Sequence, residues 1–265
     1  MTWISEKLYQ FSHRDATREI RIVCIGDSMT DDMPEQPLIN RLLIRRPTWT
    51  ETLQSKLRRT YPSHRIFVHN HGARSKKIST ALERMENPYE REDYYYNRFI
   101  SMPSVNEINP DIIILESHGY MDHDTDYEQY VRTFKEILRL STEEMGAQIY
   151  LLVTICPDGE DFKKPYEYYM NDRPRRVKEA ELIRRRLEDS IQLGRTLGIP
   201  TIDVYSKTVS DPRPFIKEQD MVHPSYEGHL LIAEEVFEKI KVSMVFVPGK
   251  GLSMMVGDIR KTMEY

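Results

Sequence analysis

The chain has 265 residues, 39% hydrophobic and 30% charged, enough apolar material for one large core and too much for a disordered chain. Its 38 basic and 42 acidic residues leave a net charge of −4, so no global field draws it to nucleic acid or to an anionic membrane. No stretch approaches the roughly 18 apolar residues of a spanning helix, and Met1 to Lys7 carries no signal-peptide pattern. The expectation is a cytoplasmic protein with neither a membrane nor a nucleic-acid partner.

The first predicted strand is Ile20–Ile25, followed at once by Gly26-Asp27-Ser28. Thr48-Trp49-Thr50-Glu51 has the capping-box pattern, and Trp49, Leu53 and Leu57 recur at helical spacing behind it. Strands follow at Arg65–Val68 and at Asp111–Leu115, the most hydrophobic run, with an unusually long loop over 86–105 between them that holds Tyr94, Tyr95 and Tyr96. A helix over 127–140 buries Tyr130, Phe134, Ile137 and Leu138, and the next strand is Gln148–Val153. A second long loop, 157–173, contains Tyr166, Tyr168 and Tyr169; loops of this length in compact domains tend to be functional. A helix over 174–197 buries Val177, Ala180, Ile183, Leu187 and Ile191 and stops at Gly198 and Pro200. The fifth strand is Thr201–Val204, and the last helix starts near Tyr226 with Leu230, Ala233, Val236, Phe237 and Ile240 on its apolar stripe.

Near-continuous apolar strands alternating with helices predict a parallel sheet covered on both faces. The fold class is therefore α/β, a three-layer doubly wound five-stranded sheet in a single domain over 1–265. Its core spans about 18–242, and 243–265 form an extension that can add an edge element or a subunit contact. Oligomerisation is left open. Cys24 and Cys156 lie in apolar runs and read as buried thiols, not a disulfide. The run Arg173, Arg175, Arg176, Lys178 and Arg184-Arg185-Arg186, interrupted by Glu179, Glu181 and Glu188, reads as a solvated helix face with i,i+4 pairs.

Ligands of open α/β sheets bind outside the carboxyl ends of the strands. Ser28 follows the first strand there. Asp220-Met221-Val222-His223-Pro224 follows the fifth, and an Asp and a His three apart can meet across one turn. Serine, histidine and aspartate at one sheet edge make a nucleophile, base and orienter.

Ile25-Gly26-Asp27-Ser28-Met29-Thr30 and Asp220-Met221-Val222-His223-Pro224-Ser225-Tyr226-Glu227-Gly228 resemble the first and last blocks of the SGNH, or GDSL-type, hydrolases, in matching order over most of the chain. The resemblance implies a flavodoxin-like sheet, ester or thioester hydrolysis by Ser28, His223 and Asp220, and no cofactor or metal. It places the substrate and oxyanion near Asp27, near Gly72 or Ser75 of the second block, and near His118 or Tyr120 of the third. The third block departs from the family's G-x-N-D: alignment on Gly119 and Asp122 puts Met121 at the asparagine, and an ungapped alignment puts Tyr120 there. Methionine cannot donate a hydrogen bond, whereas tyrosine can.

The leading expectation is a serine esterase acting on a small acyl ester. Three alternatives stand beside it: an acyltransferase with the same triad, a metal-dependent hydrolase using His69, His71, His118 and His123, and a non-catalytic phosphate- or ligand-binding module on the same fold.

Overall fold

The computed structural model describes residues 19–31, 38–39, 42–43, 46–93 and 98–241. Tyr94 to Tyr96 and the C-terminal extension lie outside them.

The central sheet has five parallel strands: β1 (Glu19–Gly26), β4 (Arg65–Gly72), β7 (Ile112–Glu116), β8 (Gln148–Val153) and β9 (Thr201–Asp203), in the order β4-β1-β7-β8-β9. Two-residue strands, β2 (Leu38–Ile39) and β3 (Leu42–Leu43), pair apart from it. β1 is buried from Ile22 to Gly26, as is β7 throughout, so the apolar runs are strands covered on both faces. The chain winds outward from β1 to β4 and then back past β1 to β7. This reversal is a switch point, and it opens a crevice between the loops that follow β1 and β7.

Helices cover both faces. α1 (Trp49–Thr60) packs against α8 (Tyr226–Ile240) on one face. α2 (Ile78–Glu86), which the sequence reading passed over, packs against α4 (Tyr127–Arg139) on the other, after the short α3 (Val105–Ile108). α6 (Arg173–Leu197) lies along β8 and β9 and joins α4 through Tyr130, whose hydroxyl reaches Ser190 Oγ at 3.1 Å and donates to Ser117 O at 2.8 Å. α5 (Glu167–Met170) and α7 (Tyr205–Thr208) are single turns.

The capping box forms, with Thr48 N–H donating to Glu51 Oε2 at 2.9 Å. α6 ends on Gly198 in the left-handed region, φ 65°. Cys24 and Cys156 are buried free thiols. Two expectations are corrected. The 86–105 segment is largely an antiparallel hairpin, β5 (Tyr89–Asp93) with β6 (Arg98–Met102), because its polar strands lack the apolar alternation that marks a half-buried strand. Leu230 is exposed, leaving the buried stripe of α8 to Ile232, Ala233, Val236, Phe237 and Ile240.

The end of β4 fits tightly under the turn after β1. A side chain at Gly72 would put Cβ 2.2 Å from Asp31 N and 2.5 Å from Thr30 C, both backbone atoms that cannot step aside. Gly72→Ala is expected to destabilise the protein by about 1–3 kcal/mol or more, the usual range for overpacking a tight site. A urea titration with an unchanged midpoint would contradict that close approach.

Candidate active site

The turn after β1 presents Ser28. Asp27 O accepts from Thr30 N at 3.2 Å and Asp31 N at 3.0 Å, and Asp27 Oδ1 accepts from Met29 N at 2.8 Å, so the chain reverses sharply around Ser28. Trp49 Nε1 donates to Met29 O at 3.2 Å, pinning the turn to the first residue of α1.

The opposite side is built by the segment before α8. Asp220 Oδ1 accepts from the N–H groups of Val222 and His223, each at 2.9 Å, and Met221, between Asp220 and Val222, takes a left-handed φ of 56°. Asp220 Oδ2 accepts from His223 Nδ1 at 2.8 Å and faces Lys217 Nζ at 3.0 Å. Ser225 then caps α8 through Gly228 N at 3.1 Å. Proline, serine and glycine in this motif thus serve the turn and the helix start, while Asp220 and His223 face each other. Burial alone pushes the Asp220 carboxyl up, but the hydrogen bond and charge of His223, followed by Lys217, outweigh it and hold the group down at about 2.

Ser28 and His223 line one cavity of about 470 Å³. Ser75, Tyr120, Met121 and Val222 share its floor. Ser75 sits in the left-handed region, φ 53°. Among the described residues, the N–H groups of Ser28 and Ser75 have no hydrogen-bond acceptor. The other wall is aromatic: Phe162, Tyr166, Tyr168 and Tyr169, with Lys163 among them.

Other residues expected here are placed differently. The Gly72 N–H donates to Asn70 Oδ1 at 2.9 Å, and Gly72 does not line the cavity. Tyr120 borders it, but its hydroxyl donates to Ile155 O at 3.1 Å. Met121 lines the cavity together with Ser28, and its side chain offers no donor. Asp27 is fully buried beneath the turn. His118 is also buried, its Nδ1 2.7 Å from Glu116 O, which makes Nδ1 the protonated nitrogen and leaves Nε2 an acceptor. Desolvation, aided by Arg84, holds His118 down at about 3, so it is neutral.

The histidines named for a metal do not converge. His71 lies edge-on to Tyr89, and His123 Nδ1 bonds Tyr120 O at 2.9 Å. Among the described residues no group of three or more His, Cys, Asp or Glu is arranged to hold a metal ion. None of the described helices is long and apolar enough to cross a membrane.

The basic run on α6 is only partly a solvated face, with Arg173, Lys178 and Arg185 exposed. Arg176 and Arg186 are buried. Arg176 Nε donates to Glu160 O at 2.9 Å, and its NH1 donates to Tyr169 O at 2.6 Å and Met170 O at 2.8 Å. Arg184 donates to Pro157 O at 2.9 Å, and Arg186 Nε to Asp122 O at 3.1 Å. These guanidinium groups satisfy loop carbonyls and fix the aromatic wall. Sequence reasoning missed this because charge next to opposite charge on a helix has the same signature whether the partners are neighbours in the helix or carbonyls of a folded-back loop.

No family model matches the sequence, and neither does any curated protein. Solved structures do match. The lipase/acylhydrolase from Enterococcus faecalis superposes with a TM-score of 0.54 at 20% identity, covering 88% of this chain and all of the other. The acetylxylan esterase Axe2 from Geobacillus stearothermophilus gives 0.52 at 16% identity over 89% of this chain and all of its own, and the acetyl xylan esterase AlAXEase 0.51 at 15% identity over 83% and all of its own. The chain carries the SGNH-hydrolase fold.

The depressed Asp220 carboxyl has a consequence for stability. A group whose folded value lies below its unfolded one stabilises the fold above the unfolded value and loses that contribution as pH falls through the folded one. The advantage of the wild type over Asp220→Asn is expected to include about 2 kcal/mol at neutral pH that disappears as pH falls from about 4 to about 2. Urea titrations across that range test it; a pH-independent difference would show that the carboxylate is not held by its cations.

Proposed function

We propose that the chain is a serine ester hydrolase working through an acyl-serine intermediate on a small acyl ester. The observation that carries this reading is the 2.8 Å bond from His223 Nδ1 to Asp220, on a cavity that Ser28 also lines. Donation of Nδ1–H to the carboxylate fixes the tautomer and leaves Nε2 as a base aimed away from Asp220. Further support comes from Axe2, whose catalytic mutants were solved at one serine, one aspartate and one histidine, the aspartate three positions before the histidine, as Asp220 stands before His223.

In the proposed mechanism Ser28 Oγ attacks the ester carbonyl while His223 Nε2 accepts its proton. The N–H groups of Ser28 and Ser75 donate to the oxyanion, with no side-chain donor from Met121, Tyr120 or His118. Collapse of the tetrahedral intermediate expels the alcohol, which takes the proton back from His223. Water, deprotonated by the same imidazole, then attacks the acyl-serine and releases the acid. Asp220 keeps its negative charge throughout and stabilises the imidazolium.

Two variants test this. Ser28→Ala is expected to abolish both hydrolysis of short acyl esters and labelling by a fluorophosphonate, with an unchanged circular dichroism spectrum; undiminished turnover would refute the reading. Asp220→Asn, with the geometry kept and the tautomer lost, is expected to lower kcat by on the order of 10³–10⁴-fold. A loss below about tenfold would remove Asp220 from the mechanism.

A further inference from the structure

We propose that Glu116 is a positioning residue for Ser28, tying the nucleophile turn to the loop after β7 through a carboxyl pair with Asp27. The proposal rests on the serine-hydrolase reading and adds to it a residue outside the triad.

Glu116 ends β7 next to the end of β1, where Ile25 is in register with Leu115. Its side chain is completely buried and crosses to the neighbouring strand. Oε2 accepts from Asp27 N at 2.9 Å, and Oε1 accepts from His118 N at 3.0 Å. One carboxyl group therefore holds the first residue of the nucleophile turn and the first turn of the opposite loop at a common spacing. The room for it comes from Gly26: a Cβ there would lie 2.6 Å from Glu116 Oε2 and 2.1 Å from Thr30 Oγ1.

The Asp27 carboxyl is equally buried and lies close to that of Glu116. It in turn holds Met29 N, so the restraint runs from Glu116 through Asp27 to both flanks of Ser28. Two adjacent buried carboxylates repel, and the pair retains a proton. Arg84 of α2 is the nearby buried cation, donating to Gly26 O at 3.1 Å and to His71 O. His223 from the segment before α8 also favours an ionised Asp27, whereas Asp122 of the β7 loop opposes it, and the neutral His118 contributes only its N–H. Burial and the neighbouring carboxylate push Glu116 far up, and burial raises Asp27 to about 6.

The test is a double-mutant cycle with Glu116→Gln, Asp27→Asn and the double variant, reading kcat and KM on a short acyl ester and the rate of fluorophosphonate labelling. Both substitutions keep size and replace a carboxyl group by an amide. Each single variant is expected to lower kcat and the labelling rate about tenfold or more with KM within about twofold, since the turn is displaced while the aromatic wall is untouched. The double variant is expected to be no worse than the poorer single one, because the two groups act as one unit. Unchanged kcat and labelling in Glu116→Gln would overturn the proposal, as would losses that multiply in the double variant or fall on KM alone. If Glu116→Gln does not fold, Asp27→Asn decides by the same kcat-against-KM criterion. A wild type that is not labelled at all would instead defeat the serine-hydrolase reading itself.

Discussion

The hydrogen-bonding of β1 on both edges is the constraint on which the rest of this molecule depends. Ile25 is in register with His71 on one side and Leu115 on the other. Ile25, next to last in the strand, therefore cannot move without breaking two ladders. Everything that emerges from its carboxyl end inherits that rigidity: the turn of Asp27 and Ser28, its Trp49 anchor, and the crossing Glu116 side chain. Because the chain reverses direction at β1, the loops after β1 and β7 leave to opposite sides and open a cleft between them. A nucleophile placed there is fixed in position and still reachable.

The cleft is assembled from short polar turns on one side and an aromatic wall on the other, and the two are stabilised differently. Asp27, Asp122 and Asp220 each satisfy backbone N–H groups of turns that no helix or strand could satisfy. The aromatic wall, carried by a segment with little secondary structure of its own, is held by arginines from α6 that take up its carbonyls. A guanidinium with five fixed donors suits this role, since one side chain can tie together several points of a loop. The same helix that covers β8 and β9 thereby also shapes the cavity.

The strands, the principal helices, the capping box and the Gly198 stop were legible in the sequence, because each depends on a local rule: apolar runs for buried strands, helical spacing for amphipathic faces, a left-handed residue to end a helix. The hairpin at 89–102 was not, since its strands alternate charge with partly exposed aromatics and make no core face. Asp220 and His223 were legible as a pair because their bond is formed within a single turn. The donors around the oxyanion were not. Whether Gly72 or Ser75 offers a free N–H depends on Asn70 folding back onto Gly72, and whether Tyr120 can donate depends on the distant Ile155 carbonyl. Glu116 left a faint trace, a carboxylate ending the most apolar strand, but its role depends on how far β7 stands from β1.

By itself, then, the sequence determined the layers, the order in which strand and helix alternate, and the candidate chemistry of its two end motifs, because periodicity and short-range turns are properties of neighbours along the chain. Tertiary structure alone decided that Ser28 and His223 open on one cavity, that Arg176, Arg184 and Arg186 of α6 reach loop carbonyls, and that Glu116 reaches Asp27. These join groups up to 195 residues apart, and the stacking of strands into a sheet, with its fixed register and spacing, is what brings the most distant of them together.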